Sequence, residues 1–477
     1  MRGVWTADQV RAAEQRVFTR VPESRLMRIA AYAVANEVLA LLSDLTGGTS
    51  GRRVGLLVGA GNNGGDALWA GAFLCRRGVS VTAVLLSPER AHVAGLAAFR
   101  RAGGRIGDSV AGADVVVDGI VGLSAKGSLR PNAAALVDSV RAPIVAVDLP
   151  SGVDPDTGAI DGPHVEADVT VTFGGRKPCH VVGPGAVASG RVRVVDIGIA
   201  DDLDDPLAVL LESEDIADAW PIPGPTDDKY TQGVTGIAAG SATYPGAAVL
   251  STGAAVLATS GMVRYAGTAA DVVRTRWPEV VATGNVGDAG RVQAWVVGPG
   301  LGTGKAGREV LADVLAAGVP VCADADAITL LAGDPTLWDA RDPETPLVLT
   351  PHDREFARLA GDVGPDRIAA ARRAAARFHA VVLLKGHSTV VAAPDGRVLV
   401  NQSRSSWPAT AGSGDVLSGL IGALLAAGED PWLAAGCAAY VHELAADLAA
   451  DGAPAPASHL QAAIPDAIRH IRSAYIH

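Results

Sequence analysis

Short Val-rich runs alternate with Ala-rich stretches of helical spacing along most of this chain, and this alternation constrains its fold more than any other feature. The runs are almost continuously apolar, as expected of strands in a parallel sheet covered by helices on both faces. The stretches between them have the length of βαβ crossovers, so we predict a doubly wound α/β fold. The predicted strands are Val54–Val58, Val81–Leu86, Val115–Asp118, Ile144–Asp148, Val169–Phe173 and Val192–Ile197, followed by Gly236–Gly240, Ala294–Val297, Val319–Ala323, Leu347–Thr350, Val381–Lys385 and Thr389–Ala392.

Acidic and proline-rich segments interrupt the alternation near the middle of the chain. Asp201–Pro206 and Pro221–Pro225 fit an interdomain connection, with a helix start predicted between them at Ser213. The 477 residues would suit about three domains of average size, but two large α/β domains account for the length equally well. Because no short repeat is visible, we predict two unlike domains, residues 1–211 and 212–477.

Composition excludes several classes of protein. A hydrophobic content of 49% excludes disorder, and a net charge of −11 argues against a nucleic-acid-binding surface. The four cysteines are widely spaced without a CxxC pair, which predicts reduced thiols. Thr6 and Gln9 fit a helix capping box where a signal peptide would be apolar, and the charge-free stretch Val416–Gly428 is too short to span a bilayer. We expect a cytoplasmic protein with no nucleic-acid or membrane partner.

A glycine loop follows the first long strand. Gly59, Gly61 and Gly64 satisfy the G-x-G-x-x-G pattern between a strand and a helix predicted from Ala67, which indicates either a dinucleotide site or a tight packing turn. The acidic residue that binds ribose in dehydrogenases is missing about 20 residues later. Polar side chains within the loop, from Asn62, Asn63 and Asp66, would instead suit a cation or a polar ligand.

Two further predicted strands of the first half end in acids. Asp118 and Asp148 both lie beside glycines, and the carboxyl ends of parallel strands meet at one edge of a sheet. A single Asp at a strand end is usually a helix cap or a loop hydrogen-bonder. Together with Asp66 of the glycine loop, Asp118 and Asp148 make three acids in one domain, and this number favours a common pocket.

Glycines also open a helix in the second half. Gly412-Ser413-Gly414-Asp415 precedes the predicted helix Val416–Leu425, so backbone N–H groups there would bind an anion. An Asp beside an anion suits a base that deprotonates a hydroxyl attacking a phosphoryl group, although a helix N-cap is the alternative. Asp324 and Asp326 follow another strand, where they would bind a metal or a phosphate-linked water. No P-loop pattern is present, which excludes a Walker-type phosphotransferase.

Taken together, these motifs resemble those of the bifunctional NAD(P)H-hydrate repair enzymes, in which an epimerase is fused to an ADP- or ATP-dependent dehydratase. The resemblance covers nearly the whole chain. It rests on Gly61–Asp66, Val147–Asp154, Lys229-Tyr230, Tyr244–Ala248, Gly298–Gly302, Thr350–His352 and Gly412–Asp415. It implies an N-terminal Rossmann-like three-layer sandwich followed by a C-terminal ribokinase-like α/β domain.

The resemblance also assigns residues to the two sites. The epimerase would bind hydrated NADH or NADPH (NADHX or NADPHX) through Asn62, Asn63, Gly64, Gly65, Asp66, Gly122, Leu123, Ser124, Ala125, Lys126, Gly127, Ser128 and Asp148, and potassium through Asn63, Asp118 and Ser151. The dehydratase would bind the hydrate through Ala247, Gly300, His352 and Asp415, and ADP or ATP through Lys385, Gly386, His387, Ser388, Thr389 and Gly414. The catalytic residues would be Asp415 and Asp148. Mg²⁺ would accompany the nucleotide, and a homo-oligomer is expected.

Three alternatives remain open from the residues alone. A ribokinase-like kinase of another small molecule would explain the second half, and a nicotinamide-dependent dehydrogenase would explain the glycine loop. A non-catalytic binding module would also explain the first half. The sequence departs from the family at Ala67, where Gly is usual, and at Asp353-Arg354, where Pro-Gly is usual.

Overall fold

The computed structural model describes residues 1–123, 127–259, 261–403 and 405–475. The chain divides into two compact units: Gly3–Ala208 forms the N-terminal unit, while the C-terminal unit begins at Val209 and includes Met1–Arg2. Each unit is built on its own sheet.

The N-terminal unit is a three-layer α/β sandwich around a wholly parallel seven-stranded sheet. Its sheet has the strand order β4-β3-β2-β5-β6-β7-β8. The helices and strands in chain order are β1 (Arg2–Val4), α1 (Ala7–Phe18), α2 (Glu23–Thr46), β2 (Arg53–Val58), α3 (Asn62–Arg76), β3 (Ser80–Leu85), α4 (Val93–Arg101), β4 (Arg105–Ile106), β5 (Val115–Gly119), α5 (Pro131–Ser139), β6 (Ile144–Val147), β7 (Val169–Phe173), α6 (Gly183–Ala188) and β8 (Arg191–Val195).

Both faces of this sheet are covered, which explains the continuous apolar runs of its strands. On one face, Leu56 and Val117 belong to a core that includes α1, α2 and α3, and on the other Leu57 and Val116 belong to a core that includes α5. The strand order reverses direction between β2 and β5. The crevice beyond their carboxyl ends is therefore the expected ligand position of a doubly wound sheet.

Helix α3 begins earlier than predicted. The sequence places its start at Ala67, whereas the helix begins at Asn62 directly after Gly61, so the polar residues of the loop lie in the first turns of the helix. A Cβ at Gly64 would clash with the carbonyl oxygen of Gly59, and this close approach lets the helix start at once. Ala67 is buried, and its Cβ faces Gly119.

Of the described residues, α2 alone forms a helix long and apolar enough to cross a membrane by length and composition. Half of its most apolar window is buried. Leu26, Val34 and Leu42 lie in the core of the N-terminal unit, against the sheet.

The C-terminal unit is built on a sheet ordered β1-β9-β18-β17-β16-β15-β14-β13-β10-β11-β12. Its helices and strands are β9 (Ala208–Leu210), α7 (Ser213–Ala219), β10 (Val234–Ala238), α8 (Pro245–Ala258), β11 (Met262–Ala266), α9 (Ala270–Arg276), β12 (Val281–Thr283), β13 (Ala294–Val297), α10 (Lys305–Leu315), β14 (Val321–Ala323), α11 (Asp326–Gly333), β15 (Leu347–Leu349), α12 (Asp353–Ala360), α13 (Arg367–Phe378), β16 (Val381–Leu384), β17 (Ser388–Ala392), β18 (Val398–Gln402), α14 (Ser413–Ala426), α15 (Pro431–Ala450), α16 (Ala457–Ala462) and α17 (Ile464–Tyr475).

The seven strands that follow one another in the sheet from β16 to β12 are all parallel. Strand β17 is antiparallel to both of its neighbours, β16 and β18. The order reverses between β10 and β13, and there the amide of Gly240 donates to the carbonyl of Pro299 (2.7 Å). The sequence prediction missed β1, β9, β11, β12 and β18 of this sheet. Charged residues such as Arg264 interrupt the apolar pattern of β11, because this strand lies toward the sheet edge.

Candidate functional sites

A cavity of about 1050 Å³ lies at the strand-order reversal of the N-terminal unit. It is lined by the loops after β2 and β5, by the end of β6 and by α1 and α2. Among the predicted site residues, its lining includes Asn62, Asn63, Asp66, Gly122, Leu123, Gly127, Ser128 and Asp148. Gly64 and Gly65 are buried in α3 and do not line it, because Gly64 packs on Gly59 and Gly65 on His92. Ser124, Ala125 and Lys126 lie outside the described residues.

Asp148 follows β6 in a left-handed backbone conformation, with φ of +69°. Such a conformation is costly for a residue other than glycine and is typical of functional positions. The Asp148 carboxylate accepts hydrogen bonds at Oδ1 from Lys177 Nζ (2.7 Å) and Thr172 Oγ1 (2.9 Å). Burial favours the neutral form of Asp148, but the Lys177 ammonium outweighs it and lowers the pKa of this carboxyl. Asp148 is therefore a buried carboxylate held in one orientation.

Asp66 and Glu14, two other acids of the cavity, lie in surroundings that raise their pKa values. Asp66 is only 6% exposed, and its buried Oδ1 accepts no hydrogen bond from the described residues. Burial raises the pKa of Asp66 well above its usual range, and the negative charges of Asp148, Glu14 and Glu23 raise it further. Burial, with the Asp148 charge next in importance, also raises the pKa of Glu14.

A cluster of oxygen atoms lies beneath this cavity. Asp118 Oδ1 accepts from Ser151 Oγ (2.7 Å), and Asp118 Oδ2 accepts from the Ser151 amide (2.8 Å). Asn63 Nδ2 donates to the carbonyls of Val121 (3.0 Å) and Val147 (2.6 Å), and the Val121 amide donates to Ser151 Oγ (3.1 Å). Residues far apart in sequence are thus joined in one buried network.

Sequence reasoning missed Lys177, Thr172 and Glu14 in this site. Lys177 is fully buried, and besides Asp148 its ammonium bonds Thr172 Oγ1 (2.9 Å) and the Phe173 carbonyl (3.1 Å). Only five of the 40 basic residues are lysine, so the scarcity of this residue type could have singled out Lys177.

In the C-terminal unit, α14 begins at Ser413, three residues before the predicted start at Val416, so Asp415 lies in its first turn. Gly412 caps the helix in a left-handed conformation (φ +85°), where the backbone turns sharply. The N–H groups of the first helical turn have no partner within the helix. Burial, reinforced by the negative charges of Asp324 and Asp326, raises the pKa of Asp415 to about 6. A carboxylate with this pKa is a competent base near neutral pH.

Lys385 and Asp324 form a partly buried ion pair beside this helix start. Lys385 Nζ donates to Asp324 Oδ1 (2.6 Å), and Ser418 Oγ of α14 donates to Asp324 Oδ2 (2.8 Å). Asp324 Oδ1 thus positions Lys385, and Oδ2 is held by Ser418. A Cβ placed on Gly414 would lie 3.3 Å from Lys385 Nζ, so Gly414 and Lys385 are neighbours.

The predicted turn of residues 385–389 joins β16 to β17. Lys385-Gly386-His387 forms the connection, and Ser388 and Thr389 begin β17. The Lys385 carbonyl accepts from Arg367 (2.8 Å), while Ser388 Oγ is buried without a hydrogen-bond partner among the described residues. Unsatisfied buried hydroxyls are uncommon in proteins, which makes Ser388 a candidate for contact with a bound group.

The remaining predicted dehydratase residues follow β13 and β15 or lie in α8. Gly300 follows β13 with φ of +60°, and a Cβ on it would lie 2.8 Å from the Cβ of Ala247 in α8. His352 caps α12, its Nδ1 accepting from the amides of Arg354 (3.1 Å) and Glu355 (3.3 Å), and its side chain is half exposed. Nδ1 of His352 is therefore used in structural hydrogen bonds at the start of α12.

Comparisons with known proteins match both units. The family described as YjeF-related protein N-terminus matches residues 23–179, and the family described as NAD(P)H-hydrate dehydratase matches residues 235–466. A Mycobacterium tuberculosis protein named bifunctional NAD(P)H-hydrate repair enzyme Nnr is 55% identical over 433 residues, covering 90% of each chain. Its namesake from Mycobacterium leprae is 52% identical over 480 residues, covering 99% of each.

Solved structures also resemble the C-terminal unit. A ribokinase-like superfamily protein from Enterococcus faecalis matches 56% of this chain's length at 24% identity, over 96% of its own chain, with a TM-score of 0.50. This likeness confirms the predicted ribokinase-like fold of the C-terminal unit.

Proposed function

The chain belongs to the family of bifunctional NAD(P)H-hydrate repair enzymes, and we propose that it interconverts the R and S forms of hydrated NADH and NADPH and dehydrates the S form at the expense of ADP or ATP. The family matches to both units support the two activities. The observation that carries the residue assignment is Asp415 at the start of α14, ionisable near neutral pH and next to free backbone N–H groups.

In the dehydratase, Asp415 accepts the proton of the ring hydroxyl as its oxygen attacks the terminal phosphoryl group of the nucleotide. The N–H groups of α14 stabilise charge on the transferring group, and Lys385 lies beside them. The ring nitrogen's lone pair then expels phosphate, and loss of a proton from the adjacent carbon restores NAD(P)H. Hydroxide is a poor leaving group and phosphate a good one, which explains why a nucleotide is consumed.

Ala247, Gly300 and His352 would face the hydrate, while Gly414 and the turn Lys385–Thr389 would hold the adenine nucleotide. Mg²⁺ bound with the nucleotide would neutralise its phosphates. The donor set fits a metal held mainly by phosphates and water, because Asp324 is engaged by Lys385 and Ser418 while Asp326 Oδ2 accepts from the Gly302 amide.

In the epimerase, Asn62, Asn63, Asp66, Asp148 and the loop 122–128 would surround the hydrated nucleotide. Asn63, Asp118 and Ser151 would bind potassium. Their donor set fits, since it offers carboxylate, hydroxyl and amide oxygens in one buried network without a cluster of thiol or imidazole ligands among the described residues. The charge of potassium there would help to hold Asp118 ionised, against the burial that raises the pKa of that carboxyl.

The test is incubation of mixed R and S hydrates with Mg²⁺ and ADP or ATP, followed by chromatography and by the absorbance of reduced nicotinamide. We expect both epimers to be consumed, with free phosphate released. Asp415→Asn should lower nucleotide-dependent recovery of NAD(P)H by about 10²–10⁴-fold while epimer exchange continues. Loss of epimer exchange in this variant would contradict the proposal that the two activities have separate sites.

The same experiment distinguishes the proposed function from its principal alternative, a ribokinase-like kinase. A kinase of another small molecule would leave a stable phosphorylated product and no recovered absorbance. Failure to consume either epimer with either nucleotide would overturn the proposed function.

A further inference from the structure

Two carboxyl groups share the cavity of the N-terminal unit but lie in opposite surroundings. We propose that they form an acid–base pair for epimerisation, with Asp66 held as a neutral carboxylic acid and Asp148 held as a carboxylate by the buried Lys177. This inference rests on the proposed epimerase function and assigns a proton-transfer role to Asp66 and a positioning role to Lys177.

The state of Asp66 follows from its contacts. It is almost completely buried at the cavity wall, and Oδ1 has no hydrogen-bond donor among the described residues. Glu14 from α1, Glu23 from α2 and Asp148 after β6 supply negative charge around it. An ionised carboxyl there would leave the buried Oδ1 without a donor and close to three other acids, so the neutral acid is the favoured form. A neutral acid can donate a proton into the cavity.

The state of Asp148 is fixed by different neighbours. Lys177 Nζ and Thr172 Oγ1 both donate to Oδ1, and His180 Nε2 lies 2.9 Å from the Asp148 carbonyl. Burial lowers the pKa of His180 to about 3, so this ring is neutral and Lys177 is the cation that faces the carboxylate. Two carboxyls with opposite charge states in one site are the arrangement expected of a general acid and a general base.

The hydrated ring carries its hydroxyl on the carbon bonded to the ring nitrogen. Asp148 takes the hydroxyl proton, the O–H electron pair forms a C=O bond, and the C–N bond breaks with its pair going to nitrogen, which takes the proton of Asp66. Rotation about the adjacent C–C bond presents the other face of the aldehyde. Closure by the reverse proton transfers then gives the opposite epimer and returns each proton to its donor. No further reactant is consumed.

Other charged groups near Asp66 are compatible with this assignment. Arg11 of α1 lies at the same cavity but forms an ion pair with Asp8 (3.2 Å), and His92 packs on Gly65 of α3 while its Nδ1 accepts from the Gly95 amide (3.0 Å). Neither forms an ion pair or a hydrogen bond with Asp66 among the described residues.

The test is the pH profile of epimer exchange, measured chromatographically in the full-length protein without nucleotide and corrected for spontaneous exchange. We expect wild type to lose activity at high pH as Asp66 ionises and at low pH as Asp148 is protonated. Asp66→Asn should lower the exchange rate by at least about 10²-fold and abolish the alkaline decline in the remaining activity. Asp66→Glu should retain an alkaline decline, because it keeps an ionisable acid.

The positioning role of Lys177 is tested with the variants Thr172→Val and Lys177→Met. Both should move the acidic limb of the epimer-exchange profile to higher pH. A purely structural role would lower activity equally at every pH. The matched control is Asp138→Asn, the same change at an exposed residue of α5, which should match wild type. An undiminished rate or a retained alkaline decline in Asp66→Asn would overturn the acid–base pair while leaving the proposed function intact. Absence of exchange in wild type would overturn both.

Discussion

At the scale of single residues, the two units contain the same kind of ion pair. Each contains a buried or partly buried lysine paired with an aspartate at a strand end, Lys177 with Asp148 (2.7 Å) and Lys385 with Asp324 (2.6 Å). Removing one partner of such a pair leaves an uncompensated charge, which typically costs about 3–5 kcal/mol. The two aspartates differ in their surroundings: Asp148 lines a cavity, whereas Asp324 accepts from Lys385 at one oxygen and from Ser418 at the other.

The dehydratase should show an acidic limb set by Asp415. Its folded pKa is raised to about 6, so kcat/KM for nucleotide-dependent dehydration should fall about tenfold per pH unit below about pH 6. Lys385 lowers the pKa of Asp415, against the raising effects of burial and Asp324. Lys385→Met should therefore move this limb to higher pH in a profile of log kcat/KM against pH.

The control for this profile is Lys305→Met, which removes a lysine whose side chain is 90% exposed and should leave the limb in place. A limb that stays at the wild-type pH in Lys385→Met would contradict the assignment of Asp415 as the titrating base.

At the scale of elements, the loops after the central strands determine where the helices begin. The loop after β13 contains Gly298, Gly300 and Gly302, all with positive φ. Glycine adopts this conformation without steric cost, whereas other residues lose about 1–2 kcal/mol there. The loop can therefore turn sharply and lie against α8, where Ala247 and Tyr244 approach Gly300.

Gly300→Ala should destabilise the C-terminal unit by about 1–3 kcal/mol and weaken hydrate binding. The added Cβ would be strained at φ of +60° and would lie 2.8–2.9 Å from the Cβ atoms of Ala247 and Tyr244. Denaturant unfolding and the KM for the S hydrate measure the two effects. Gly284→Ala, where nothing lies within 4 Å, is the matched control; equal effects of both changes would show that the close approach is unimportant.

At the scale of the whole molecule, each unit carries its own candidate site at its own strand-order reversal. The cavity of the N-terminal unit is lined by residues of that unit alone, and the Asp415 site is built from β13, β14, β16 and α14 of the C-terminal unit. Both sites are thus complete without residues of the other unit among those described.

Two single-site variants should therefore complement each other when mixed. Asp148→Asn alone should leave most of the R hydrate unconverted, and Asp415→Asn alone should regenerate little NAD(P)H. An equimolar mixture with ADP or ATP and Mg²⁺ should consume both epimers, because the S hydrate formed by one polypeptide diffuses to the other. Chromatographic recovery no better than that of Asp148→Asn alone would show that the sites must share one chain.

The sequence by itself determined the alternating α/β pattern, the ends of the central strands and the two glycine-opened helices, because apolar periodicity and glycine positions are local properties of the chain. The family motifs likewise pointed to Asp148 and Asp415. Strands near the sheet edge, such as β11, escaped prediction, since polar residues interrupt their apolar pattern.

Only the tertiary structure decided which side chains share an environment. Asp66, Asp148 and Lys177 are separated by up to 111 residues in sequence, and nothing local distinguishes one aspartate from the other. Their different charge states arise from burial and from neighbours on other elements: Lys177 reaches Asp148, whereas acids from α1 and α2 surround Asp66. Electrostatic energies depend on distance and solvent access, and these are set by the packing of the whole unit.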